Sequence, residues 1–147
     1  MKLYFDTAYL AKCYWNEPDG KLVRILAQGA GSLYSSAICI AEMACLAHRK
    51  VREGPATEAE AVVRRDLFLD DLKTGVITAM PVTERLLRRV ETATRAVPAS
   101  CYLRTVDALH LVTAADNGFV EVWTNDRHML AAAPYFGLTG RSVVSAQ

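Results

Sequence analysis

The chain is 147 residues long, with 52% of them in the hydrophobic set, 22% charged, eight glycines and five prolines. A chain of that length is the usual size of one domain and hides roughly 68–70% of its unfolded surface. The composition excludes a disordered tail, a collagen-like repeat and a low-complexity linker. Seventeen Lys and Arg against sixteen Asp and Glu leave a net charge of +1, so a polyanionic partner would need a local basic patch. One domain over residues 1–147 is expected.

Short β-like runs alternate with longer helical ones. Residues 2–5 (KLYF) read as a strand, and Asp6-Thr7 opens a helix over TAYLAKCYW. Pro18-Asp19-Gly20 breaks the chain before KLVRILAQ, which repeats apolar residues at helical spacing. SLYSS (32–36) reads as a strand, followed by a helix to about Arg52 that Gly54-Pro55 stops. Residues 56–74 form a charged amphipathic helix, 76–82 (VITAMPV) a strand closed by Pro81, and TERLLRRVETATRAV a helix with a Thr cap. After Pro98, Arg104 to Asn117 is helical with Asn117-Gly118 as its stop. VEVWT (120–124) is strand-like, Asn125-Asp126 opens a short helix, and SVV (142–144) reads as a final edge strand. This alternation predicts an α/β fold with a mostly parallel sheet.

The uncharged stretch Met129 to Gly140 is broken by Pro134, Gly137 and Gly140 and falls short of the ~20 apolar residues of a membrane span. Asp6 and Lys12 lie where a signal peptide would be apolar. Cys13, Cys39, Cys45 and Cys101 form no C-x-x-C pair and sit in apolar company, as small buried hydrophobes kept reduced in the cytoplasm would.

Four acids stand in unusual places. Glu42 lies in AICIAEMACLA, where its helical neighbours Ile38, Cys39, Cys45 and Leu46 are apolar. Asp107 has Leu103, Arg104, His110 and Leu111 at the same spacings. A buried carboxylate costs several kcal/mol unless a cation or hydrogen bonds compensate it. Asp6 and Asp126 each follow a β-like run and begin a helix, the position where open parallel sheets bind ligands. Four acids converging on one rim, with no matching basic cluster, call for a hard divalent cation such as Mg²⁺ or Mn²⁺.

Simpler readings stand beside these. Asp6 and Asp126 are good helix N-caps, worth about 1 kcal/mol each, and Glu42 and Asp107 could each pair with a buried arginine. His110 is either a metal ligand three residues after Asp107 or a hydrogen-bonded core or rim histidine, and His128 either a substrate contact or a surface group. Asp66, Asp70 and Asp71, among Arg64, Arg65 and Lys73, read as a solvated helix face, and Asp116 and Glu121 as surface charges. Arg85, Arg88 and Arg89 share one helical face, with Arg95 and Arg104 further on, either as a rim for a polyanion or as a solvated face. Tyr9, Tyr14 and Trp15 either stack bases or a partner, or pack the core.

Taken in order, YFDTAYLAK, SSAICIAE, RTVDALHLVTAADNGF and VWTNDRHML resemble the PIN-domain ribonucleases, and within them the VapC-type toxins of type II toxin–antitoxin pairs. The resemblance implies a three-layer α/β/α, Rossmann-like fold. It matches Asp6, Glu42, Asp107 and Asp126 to the family's acidic metal-binding and catalytic quartet, and Thr7, Ser36 and Thr124 to accompanying hydroxyl positions; Arg104, from the basic residues near the rim, is a further supporting candidate. Asp6 and Asp107 would hold a first Mg²⁺ or Mn²⁺, Glu42 would orient water or hold that ion from the opposite side, and Asp126 would help a second.

The implied activity is metal-dependent endoribonucleolytic cleavage of tRNA or another structured RNA. The implied partners are an antitoxin and a second copy of the chain, with the segments around Leu10 to Trp15 and Leu22 to Leu26 as candidate surfaces. Two other classes stay open. One is a phosphoryl hydrolase on a different substrate, although a haloacid-dehalogenase pattern would want Asp where Ala8 stands. The other is an inactive PIN-like assembly or binding module.

Overall fold

A computed structural model of the protein describes residues 1–144. Five strands, β1 (Lys2–Tyr4), β2 (Ser32–Ser36), β3 (Ile77–Met80), β4 (Glu121–Trp123) and β5 (Thr139–Arg141), alternate with seven helices among the described residues. These are α1 (Thr7–Tyr14), α2 (Gly20–Gly29), α3 (Ile38–Arg52), α4 (Glu58–Thr74), α5 (Glu84–Thr94), α6 (Thr105–Asp116) and α7 (Arg127–Ala132), the last running into a 3₁₀ turn over Ala133–Phe136.

All pairings are parallel. β1 aligns with β2 at Leu3–Leu33, β2 with β3 at Leu33–Ile77, and β4 with β5 at Val122–Gly140. A single parallel bridge between Phe5 and Trp123 joins the two groups, giving the order β3-β2-β1-β4-β5. The chain thus runs outward from β1 through β2 to β3, then returns to the other side of β1 to lay down β4. That reversal opens a crevice between the carboxyl ends of β1 and β4, where open parallel sheets place their ligands.

Alternation along each strand sorts the core into two layers. Leu3, Phe5, Leu33 and Ile77 face α1 to α4, with Tyr9, Leu10, Val23, Met43 and Phe68 packed on them. Tyr4, Met80 and Val122 face the opposite side, where Leu111 and Ala114 of α6 and Met129 of α7 cover them. The architecture is the expected α/β/α sandwich.

Local chemistry sets the element ends. Thr57 and Thr83 cap α4 and α5 by accepting from the Glu60 and Leu86 amides, and Gly75 ends α4 at φ 81°, a conformation that a side chain would strain. The last strand departs from expectation: it is Thr139–Arg141, and Ser142–Val144 leave the sheet as a bend. Two contacts explain the shift. A Cβ at Gly140 would lie 3.1 Å from Leu130 Cα, so the glycine lets β5 press against α7. Beyond it, the Ser142 hydroxyl donates to Asn125 Oδ1 and the Val143 amide to the Tyr9 hydroxyl, drawing the chain toward α1.

Three further expectations need correction. Of the four cysteines only Cys39 is buried; Cys13 and Cys101 are half-buried and Cys45 is exposed. Tyr9, Tyr14 and Trp15 are core residues, so the Leu10 to Trp15 segment offers no surface, whereas Leu22 and Ile25 on α2 are exposed. Asp71 and Arg64 are not simply solvated: Asp71 accepts from the Tyr14 hydroxyl and Arg64 donates to the Tyr14 carbonyl, tying α4 to α1. No helix among the described residues is long and apolar enough to cross a membrane.

Candidate functional site

Asp6 leaves β1 at the crevice and caps α1, its Oδ1 accepting from the Tyr9 amide at 2.9 Å. Asp126 leaves β4 on the other side and caps α7, accepting from the His128 and Met129 amides at 2.8 and 3.1 Å. Both acids are therefore helix caps at the rim of the crevice, because the strand ends that form it are also the helix starts. The Thr124 hydroxyl accepts from the Asp126 amide, and it also favours the charged form of Asp6. Ser36 is buried and accepts from the Ile38 amide, opening α3 rather than reaching the acids.

α3 and α6 bring in the other two carboxylates. Thr7, in the first turn of α1, donates to Glu42 Oε1. His110 Nε2 lies 3.1 Å from both Glu42 Oε1 and the Thr7 hydroxyl. On its other side, His110 Nδ1 meets the Tyr4 hydroxyl at 2.9 Å. His110 is thus a buried, hydrogen-bonded histidine, and its Nε2 is engaged by Glu42 and Thr7. Asp107, buried in the first turn of α6, is held by Arg104 Nε at 3.0 Å, and the same guanidinium reaches Asp126 at 2.8 Å. The expected arginine partner of Asp107 is present, although Arg104 is half-exposed rather than buried.

The electrostatics separate the acids. Burial pushes the Asp6 carboxyl above its ordinary value, and neighbouring Glu42 adds to this; His110, Thr124 and the Tyr9 amide offset it only in part. Glu42 goes the other way. Its burial also disfavours charge, but hydrogen bonds from His110 and Thr7 and the positive charge of Arg104 outweigh it, and its pKa falls below the usual range.

From Glu42 a groove of about 650 Å³ runs along α3, lined at one end by Thr7, Glu42 and Arg104 and at the other by Cys45, Arg49 and Arg52. Arg88 and Arg89 pair with Glu84 and Asp116. Among the described residues, no carboxylate lies within ion-pair distance of Arg49 or Arg52.

A model of the PIN-domain family matches residues 3–134 of the chain. The chain belongs to the PIN-domain family. Members of that family are generally nucleases. Among solved structures, this PIN domain is similar to a chain in the crystal structure of FitAcB from Neisseria gonorrhoeae. The two share 14% identity with a TM-score of 0.61, and the match covers 95% of this chain and 96% of that one. No curated protein matches it.

The donor chemistry of the PIN domain's crevice suits a hard divalent cation. Asp6, Glu42, Asp107 and Asp126 supply carboxylate oxygens only, and Arg104 is the cation that touches two of them. Asp6 is a buried charge with no ion-pair partner among the described residues, the situation a bound cation relieves. The acids are nevertheless not drawn together into a finished cage: among the described residues no three His, Cys, Asp or Glu side chains are grouped closely enough to hold an ion. Arg104 holds Asp107 and Asp126 onto itself. Its side chain is 56% exposed.

Two features escape a sequence-only reading of the PIN domain. The arginine stripe of α5 lies at the wrong end of α6: Arg85 and Arg89 line a separate cleft with Asp116 and Asn117, about 13 Å along the helix from Asp107. The basic residues of α3 that share a groove with Glu42 are instead Arg49 and Arg52. Their signal was available, since Glu42, Cys45, Arg49 and Arg52 follow one another at i, i+3, i+7 and i+10 along one face of α3. The contact between Tyr4 and His110 spans 106 residues and left no local trace.

Proposed function

We propose that this PIN domain is a divalent-cation-dependent endoribonuclease, the toxin of a toxin–antitoxin pair acting on cytoplasmic RNA. What supports the reading is that Asp6 and Asp126 stand at the ends of β1 and β4, with Glu42 held by Thr7 and His110 and with Asp107 and Asp126 bridged by Arg104. The toxin assignment rests on the four segments that resemble VapC-type proteins, and the exposed Leu22 and Ile25 on α2 offer an apolar surface to an antitoxin or a second copy.

Asp6 and Asp107 would hold the cation, with Glu42 and Asp126 completing the oxygen set. When bound, Mg²⁺ or Mn²⁺ supplies a water of lowered pKa and offsets charge building on the scissile phosphate. The chain's own residues do the rest. Glu42, held ionised, accepts a hydrogen bond from the attacking water and so aims it. Thr124 and the Tyr9 amide keep the Asp6 carboxylate fixed at the end of β1. Arg104, released from Asp107, remains beside the crevice as a donor to a phosphate oxygen. Attack by water predicts fragments with linear phosphate and hydroxyl ends. Mapping the ends of cleaved tRNA checks this, and 2′,3′-cyclic phosphates would instead assign the attack to the RNA's own 2′-hydroxyl.

The flanking RNA backbone would lie in the groove along α3. Arg49→Ala and Arg52→Ala are each expected to raise KM about fivefold with kcat nearly unchanged, and to reduce the slope of log affinity against log salt by about one. RNA is expected to protect the exposed Cys45 from alkylation in the same groove. Equal KM in these variants, with full Cys45 labelling at saturating RNA, would remove the RNA from this groove. The matched α5 variant Arg85→Ala is expected to change neither quantity.

A further inference from the structure

We infer that Tyr4 and His110 are positioning residues for Glu42: they commit Oε1 of its carboxylate to the protein and leave Oε2 as the oxygen offered to the crevice. The inference rests on the proposed nuclease reading and adds two residues to it. His110 is the ionisable ring in an otherwise apolar stretch of α6, and its side chain is 2% exposed. A ring in that place needs partners for both nitrogens, and it has them in Tyr4 and in the Thr7–Glu42 pair.

The hydrogen-bond directions follow by elimination. The Thr7 hydroxyl has one proton and gives it to Glu42 Oε1. With that proton spent, His110 Nε2 can face the same carboxylate oxygen at 3.1 Å only if it also donates. Nε2 therefore carries a proton, and in the neutral ring Nδ1 is then the acceptor and takes the Tyr4 hydroxyl proton at 2.9 Å. Tyr4 is fully buried at the centre of the sheet, so the tautomer is fixed from the most rigid part of the fold. Two consequences follow. His110 is not a cation ligand, since its crevice-side nitrogen is a donor. Glu42 enters the site through one oxygen, its rotation blocked by two donors on the other. This is the arrangement by which outer residues orient the groups that touch a cation or its water.

The test compares His110→Leu, His110→Gln and Tyr4→Phe with the wild-type protein by Mn²⁺ calorimetry, by kcat and KM on tRNA, and by thermal melting. Glutamine places an amide donor near the Nε2 position, while leucine fills the space with none. His110→Leu is expected to weaken Mn²⁺ binding and lower kcat by about 10- to 100-fold with KM nearly unchanged. His110→Gln is expected to recover most of both, and Tyr4→Phe, which removes only the hydroxyl, to lose several-fold. Thermal melting reports separately the cost of leaving the buried Tyr4 hydroxyl without its partner in His110→Leu. A folded His110→Leu protein with wild-type Mn²⁺ affinity and kcat overturns the inference while leaving the nuclease intact. So does a His110→Gln protein no better than His110→Leu. A wild-type protein that neither binds Mn²⁺ nor cuts RNA overturns the nuclease reading, and the inference with it.

Discussion

Asp6→Asn is expected to lower RNA cleavage by at least about 100-fold while leaving the fold intact and raising its melting temperature. The first part follows from the place of Asp6 at the end of β1, where its carboxylate would be a direct partner of the cation. The second follows from electrostatics. Asparagine accepts the Tyr9 amide as well as aspartate does, so the α1 cap survives. The charge, however, is a burden. Burial raises the folded-state pKa of Asp6 above its unfolded value, so the folded protein binds this proton more tightly than the unfolded chain does. Stability from this group therefore falls as pH rises through the window between the unfolded and folded values, and it stays reduced at neutral pH. Asp6→Asn removes that penalty. The gain in thermal stability is expected at pH 7 without added metal, and it should vanish at pH values below the ordinary aspartate range, where both proteins are uncharged at this position. Saturating Mn²⁺ should reverse the order by stabilising only the wild-type protein.

Asp107→Asn is expected to abolish cleavage to a similar degree but to move stability the opposite way. Asp107 is paired with Arg104 through both of its oxygens, and it is the acid in the first turn of α6, where the helix dipole favours a negative charge. Replacing the carboxylate weakens both interactions. Because Arg104 is half-exposed, the pair is screened by solvent, and the combined loss is about 1 kcal/mol. A protein of this size should melt about 3 °C lower. Two variants that both lose activity, one melting higher and one lower than wild type, separate a shared role in the reaction from shared damage to the fold. Equal melting shifts would contradict the account of Arg104 as the group that holds Asp107 in the resting site.

The four acids of the candidate site are legible as unusual in the sequence for a definite reason. Glu42 and Asp107 stand out because each interrupts an apolar helical face, and Asp6 and Asp126 because each sits between a β-like run and a helix start. A charge where burial is implied costs free energy, so its presence points to a compensating partner. The strand and helix order was legible because proline, glycine and capping threonine mark its boundaries. What failed was information carried by distance. TGR has no alternation that marks a strand, and β5 exists because Gly140 fits against α7. Helical phase placed Arg85, Arg88 and Arg89 on one face of α5 but could not say which end of α6 that face covers. The link from Tyr4 through His110 to Glu42 joins β1, α6 and α3, and no window of the sequence contains it.

The most direct measurement is cleavage of total tRNA by the purified protein in Mg²⁺ or Mn²⁺, against EDTA, with Asp6→Asn alongside. Discrete fragments are expected from the wild-type protein with metal, and intact RNA both in EDTA and with Asp6→Asn. Fragments that persist in EDTA, or that Asp6→Asn makes equally well, would contradict it, because the carboxylates at the β1–β4 crevice would then have no part in the cut.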